Sequence, residues 1–263
     1  MNIWRGLILV AASCLLISPD VSHGAIMDAA KVLSDTGVYG TYAVFRIDKA
    51  WYRLPKESRE QGVAEAKAAI QRHAERVLAE TYLLRGLTDN ADFLLRLHAY
   101  DLISNQNLLA DLMATGFGRY LENTQTLIGL TKPLNYLPKL ADLHARVKGA
   151  QLDPGPKPYA VVIPIRKDAA WWTGSDEARL AMMKEHTEAT LGYLKTVKRK
   201  LYHSTGLDDW DFITYFETAR PEDFHQLVLQ LMQIAENRHN ERFGNPIILG
   251  TARSLDELFA LLQ

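Results

Sequence analysis

The chain has 263 residues, 48% of them hydrophobic and 23% charged, enough for one large core or two small domains. Its 30 Lys and Arg nearly balance 31 Asp and Glu, for a formal net charge of −1. That balance argues against nucleic acid or an anionic membrane surface as a partner, because both select an excess or a cluster of positive charge.

The N-terminus reads as a secretory signal. Arg5 supplies a positive start, residues 6–17 form an apolar run too short to span a bilayer comfortably, and Pro19 breaks it. Ser22 and Gly24 are small residues ahead of a cut at Ala25. The same pattern suits a membrane anchor or a buried N-terminal helix, and a lipoprotein site at Cys14 has the poorly suited Ala11 before it. Residues 1–24 are expected to be removed, leaving a periplasmic mature chain with no membrane association. Cys14 is the only cysteine, so that mature chain would hold no disulfide, no iron–sulfur cluster, no Cys-ligated haem and no Cys nucleophile.

The remainder aligns with itself. Tyr42-Ala43-Val44 matches Tyr159-Ala160-Val161 at 117 positions, Asp92-Phe93 matches Asp211-Phe212 at 119, and Trp51 falls opposite Trp171. The chain is one unit written twice, over residues 25–131 and 158–263, with a proline-rich linker at 132–157 that contains a short helical piece. In the first unit helices are expected near residues 56–74 and 105–120. In the second, the β-branched run at 158–166 predicts a strand. Ser175 caps a helix with Asp176 and Glu177 in its first turn and a stripe at Ala178, Met182, His186, Ala189 and Tyr193. Residues 197–205 and 212–218 form a hairpin. Pro221 opens a helix through about Arg238, followed by a strand at 246–251 and a terminal helix at 255–262. The order βαββαβ is the ferredoxin-like unit. Two such units predict an α+β fold, a barrel-like body with helices outside.

His186 interrupts an apolar stripe. A lone buried histidine is more often a satisfied core residue than a ligand, yet a neutral imidazole is the usual proximal haem ligand, and only methionine offers a softer one here. Strand alternation puts Arg199 on one face with Val197, Leu201 and His203; it reads either as a structural or snorkelling arginine or as a fixed cation aimed at an anion. A planar cofactor between helix and sheet would have His186 on one side and Arg199 on the other. Trp171 and Trp172 cannot easily share one face, and either a core-and-rim pair or a cofactor wall accounts for them. Lys167 and Glu236 alone read as solvated charges. The other histidines make no metal-ligand spacing, and no phosphate, dinucleotide or serine-hydrolase motif is present.

Lys167, Trp171-Trp172, His186-Thr187, the run from Val197-Lys198-Arg199-Lys200 through Gly206-Leu207-Asp208-Asp209, Asp211-Phe212, Glu236 and Gly244-Asn245-Pro246 together resemble the chlorite dismutase family in its longer, respiratory-type branch. The resemblance implies a dimeric α+β body of two ferredoxin-like repeats. It implies haem b, one per subunit, with His186 as proximal iron ligand, Glu236 bonded to the other ring nitrogen and Lys167 linked to Glu236. It further implies Arg199 as the catalytic distal arginine, Asn135 and Tyr136 beside the haem propionates, and Trp171 and Trp172 near the haem. Some relatives carry Trp where Phe243 stands, a departure that bears on haem retention or assembly. The implied reaction turns chlorite into chloride and dioxygen through ferryl haem and hypochlorite, in a homopentamer. Rival readings are a coproporphyrin-decarboxylating relative, a haem peroxidase, and a non-catalytic haem carrier or sensor. The export signal and Arg199 argue against the first. A carrier would more often fill both axial positions, and no second His or Met is evident.

Overall fold

The structure is a computed structural model that describes residues 26–134 and 136–263. The expected signal, with Cys14 inside it, and Asn135 lie outside the described residues. The first unit runs α1 (Ala29–Ser34), β1 (Tyr39–Ile47), α2 (Lys56–Arg72), β2 (Leu78–Leu83), β3 (Phe93–Ala99), α3 (Leu102–Met113) and β4 (Leu121–Leu130), and the linker carries α4 (Ala141–Gly149). The second runs β5 (Tyr159–Lys167), α5 (Ala169–Thr173), α6 (Asp176–Thr190), β6 (Val197–His203), β7 (Phe212–Thr218), α7 (Pro221–Leu231), β8 (Asn240–Phe243), β9 (Ile248–Arg253) and α8 (Leu255–Leu262).

Neighbouring strands follow the order β7-β6-β4-β1-β3-β2-β9-β5, and β5 pairs back onto β7, so the ring closes. Closure leaves no edge within the ring, and β8 adds to the far end of β5. The α+β expectation of two ferredoxin-like repeats in a barrel-like body holds.

Strand register exposes the duplication directly. Tyr42 pairs with Arg96 as Val162 pairs with Tyr215, and Tyr82 pairs with Leu94 as Tyr202 pairs with Ile213. First and second strands thus correspond at 120 positions and third strands at 119. This corrects the match of Tyr42-Ala43-Val44 to Tyr159-Ala160-Val161. A slip of three residues from the true register turns every side chain to the opposite face; Tyr42 faces the barrel interior, and so do Ala160 and Val162.

Inside the barrel, the apolar residues Tyr42, Val44, Leu94, Leu127, Val162 and Ile213 share the interior with a buried arginine and its carboxylate partners. Arg96, 2% exposed, bonds Glu80 at 2.9 Å, approaches Glu217 at 3.7 Å, and lies 3.5 Å from the Tyr215 ring centre. Arg96 and Glu80 come from the first unit, Glu217 and Tyr215 from the second, so the buried charge is balanced across the joint. Outside, α2, α3 and α8 cover the first unit through Ala66, Leu108, Leu112, Phe259 and Leu262, with Trp51 and Phe117 packed from the flanking turns. α7 covers the second through Leu227 and Leu231 against Val161, Ile163 and Phe216.

Three boundaries differ from expectation. α3 spans Leu102–Met113, capped by Asp101, which accepts from Ser104 N. It stops because the Thr115 hydroxyl takes the Leu112 carbonyl and in turn receives Gly118 N. α7 ends at Leu231, and Glu236 rides a separate turn, Ala235–His239, anchored where Ala235 N donates to Glu185 at 3.0 Å. The last strand begins at Ile248, and β8 was unforeseen. Asn240 pairs with Lys167 as Leu121 pairs with Ile47, so β8 and β9 are one counterpart of β4, broken at Gly244-Asn245-Pro246.

Candidate functional site

α2 and α6 begin 120 positions apart, at Lys56 and Asp176, but they bury different chemistry. α2 buries Gly62, Val63, Ala66, Ala69 and Ile70; α6 buries only Thr187 and Thr190. The expected stripe is half covered: Ala178 is exposed, and Met182, His186, Ala189 and Tyr193 are intermediate. In the first unit, α8 closes the corresponding face with Leu258, Phe259 and Leu262. In the second, α4 follows β4 as α8 follows β9, yet buries only Leu143. One unit is packed solid where the other presents a histidine on a partly open face.

His186 is oriented from behind. Its Nδ1 lies 3.2 Å from Glu236 Oε2, and the other Glu236 oxygen is ion-paired with Lys167 Nζ. Lys167 also donates to Asn240 Oδ1 at 2.7 Å and sits 4.5 Å over the Trp171 ring. A carboxylate on Nδ1 selects the tautomer that keeps Nε2 as a lone-pair donor. Burial, with the positive fields of Arg199 and Lys167, lowers the His186 pKa to about 4, so the ring is neutral near pH 7. Burial also lowers Lys167 to about 8, against the opposing pull of Asp168 and Asp211.

Arg199 stands on the outer face of β6, opposite Phe216 of β7. Its Nη1 donates to Thr190 Oγ1 at 2.8 Å and its Nη2 to the Thr190 carbonyl at 3.0 Å. Nε is buried without a partner among the described residues. Burial lowers the pKa to about 10, which leaves the group charged near neutrality. A buried cation with no carboxylate beside it among the described residues is costly unless an anion joins it. Tyr136 sits in the same field: burial raises its phenol pKa, while Thr187 and Arg199 lower it.

The tryptophans divide. Trp171 is buried beside Lys167 and His239. Trp172 is 46% exposed and stacks on Phe212. Three other histidines have side-chain partners of their own: His73 in Asp111, His98 in Tyr202 through Nε2, and His239 in Asp168. Sequence reasoning missed Thr190 and Asn240. The signal for Thr190 was a pair of β-branched polar residues, Thr187 and Thr190, within one helical turn, where helix propensity disfavours them.

These residues suit haem. Among the described residues no three His, Cys, Asp or Glu side chains converge as a metal cage; iron carried in a macrocycle needs only an axial donor from the protein, and His186 presents one.

The family model for chlorite dismutase matches residues 59–253. The chlorite dismutase of Ideonella dechloratans is 42% identical over 239 residues, covering 90% of this chain and 84% of that protein. The solved chlorite dismutase of Candidatus Nitrospira defluvii, in complex with imidazole, is 50% identical with a TM-score of 0.86, covering 88% of this chain and 98% of that one. The coproheme decarboxylase of Mycolicibacterium smegmatis is more distant, 26% identical over 211 residues, or 78% of this chain and 87% of that protein. With a family model over most of its length and a 42% identical relative over nine-tenths of it, the chain belongs to the chlorite dismutase family.

Proposed function

We propose that this protein converts chlorite to chloride and dioxygen, with one haem b per subunit held through His186. The observation that carries the proposal is the asymmetry between the repeats: a supported imidazole and an unpaired buried guanidinium occur together in one, and hydrocarbon fills the equivalent places in the other. Family members are haem proteins, and bound haem supplies the oxygen-atom transfer that the side chains cannot perform.

The residues supply orientation and charge. Glu236, held by Lys167, keeps His186 in one tautomer and makes it a stronger donor. With haem bound, Arg199 would draw chlorite in and hold hypochlorite nearby; a preorganised, largely buried cation would serve both ends. Its unpaired Nε–H favours this over a purely structural role. Export to the periplasm and assembly as a homopentamer are parts of the same proposal, supported by the pattern of residues 1–24 and by the family resemblance. Oxygen evolution on adding chlorite to the haem-loaded protein tests it. A haem-loaded protein that releases no oxygen would point instead to a peroxidase, decarboxylase or carrier.

A further inference from the structure

We propose that Thr190 is a positioning residue for Arg199, pinning one end of the guanidinium so that its remaining edge faces an anion. The inference rests on the reading of Arg199 as the anion-binding cation.

Thr190 is 1% exposed and lies one turn beyond His186 on α6. Its hydroxyl donates to the carbonyls of His186 at 3.0 Å and Thr187 at 3.3 Å, which leaves its lone pairs for Arg199 Nη1 at 2.8 Å. Its own carbonyl accepts from Nη2 at 3.0 Å. That carbonyl closes the C-terminal end of α6, where unpaired carbonyls and the helix dipole favour a cation. Both contacts engage the Nη end of a rigid planar fork. Fixing that end fixes the direction of the buried, unpartnered Nε–H.

The repeat supplies an independent control. At 120 positions earlier, Thr190 becomes Ile70 and Arg199 becomes Ala79, both in the packed hydrocarbon of the first unit. Ile and Thr share the branched β-carbon, so the helix keeps the same shape at this position in both units. The hydroxyl occurs only where the arginine does.

Azide affinity of the ferric haem-loaded protein reads the role without chlorite turnover. Thr190→Val, which keeps the shape and removes the hydroxyl, is expected to weaken azide binding about tenfold, equivalent to about 1.4 kcal/mol. Thr190→Ser should restore it. In an Arg199→Ala background, Thr190→Val should add nothing, because no guanidinium remains to be positioned. Unchanged affinity in Thr190→Val, or equal weakening in both backgrounds, overturns the inference. If Thr190→Val does not take up haem, Thr190→Ala is read against the same cycle. Wild-type affinity in Arg199→Ala would remove the reading of Arg199 and the inference with it, whereas oxygen evolution from chlorite by the wild-type protein tests the activity separately.

Discussion

Ala66 and His186 hold the same position in two copies of one helix, 120 residues apart, the first sealed in hydrocarbon and the second backed by Glu236. His186→Ala makes the second copy resemble the first at that position. The expected outcome is loss of haem uptake, read as the absence of a Soret band after reconstitution, with far-ultraviolet circular dichroism unchanged. A ferric spectrum like that of the wild type would overturn the ligand assignment.

Glu236→Gln keeps the volume but removes the charge that faces both His186 and Lys167. Lys167 then loses its ion-pair partner and keeps Asn240, the Trp171 ring and the weaker pull of Asp168 and Asp211. Loss of a ligand's hydrogen-bond partner typically weakens metal-group affinity by about 10–100-fold. The haem dissociation rate should rise by a factor in that range, while Glu236→Asp should fall between the two proteins. A dissociation rate equal to that of the wild type in Glu236→Gln would show that the carboxylate does not act through His186.

Arg199→Ala should leave haem content intact and let hypochlorite escape, because the buried cation on the sheet beneath α6 is gone. Monochlorodimedone bleaching during chlorite turnover measures the leak. Bleaching no greater than in the wild type, with turnover unchanged, would rule out the retention role.

Much of this was legible in the sequence, because the alternation and helical period that fix each element also fix which face His186 and Arg199 occupy. Ser175 and Pro221 marked their helix starts through local chemistry that needs no tertiary partner. What was not legible depended on distant residues. The break after Leu231 rests on Glu185 receiving a turn fifty residues away. β8 exists because a split copy of β4 still finds the end of β5. The Arg96 network drew no notice at all, since an arginine between Leu95 and Leu97 looks like an error until Glu80 and Glu217 are seen to converge on it.

That network predicts a stability effect far from the candidate site. Arg96→Met removes the cation and leaves Glu80 and Glu217 facing each other inside the barrel. Breaking a buried pair from one side costs about 3–5 kcal/mol. The denaturation midpoint of the variant should fall accordingly, and the triple variant Arg96→Met, Glu80→Gln, Glu217→Gln should recover part of the loss. A midpoint unchanged by Arg96→Met would mean that water reaches the cluster.

Acid should loosen the haem-free protein for an identifiable reason. His186 titrates at about 4 and burial puts His98 well below its ordinary value, while in an unfolded chain both titrate near pH 6.5, roughly the free imidazole value. Between those limits the unfolded chain binds more protons, so stability rises with pH across the window. The contribution is complete above about pH 6.5 and is lost as pH falls toward 4. Glu217, lowered by its bonds to Tyr215 and Lys198 against the opposing effect of burial, adds to the loss at the acid end. Glu80 runs the other way: burial raises its pKa, so it costs stability at neutral pH and gives some back in acid. Urea midpoints of the haem-free protein should therefore dip only slightly from pH 8 to about 7, as Lys167 takes up its proton in the fold, and drop more steeply between about 6.5 and 4.5. His98→Phe should make the drop shallower by removing one of the three histidines that burial lowers, His98, His186 and His203. A midpoint that stays flat from pH 7.5 to 5 would show that none of these imidazoles is held neutral by the fold.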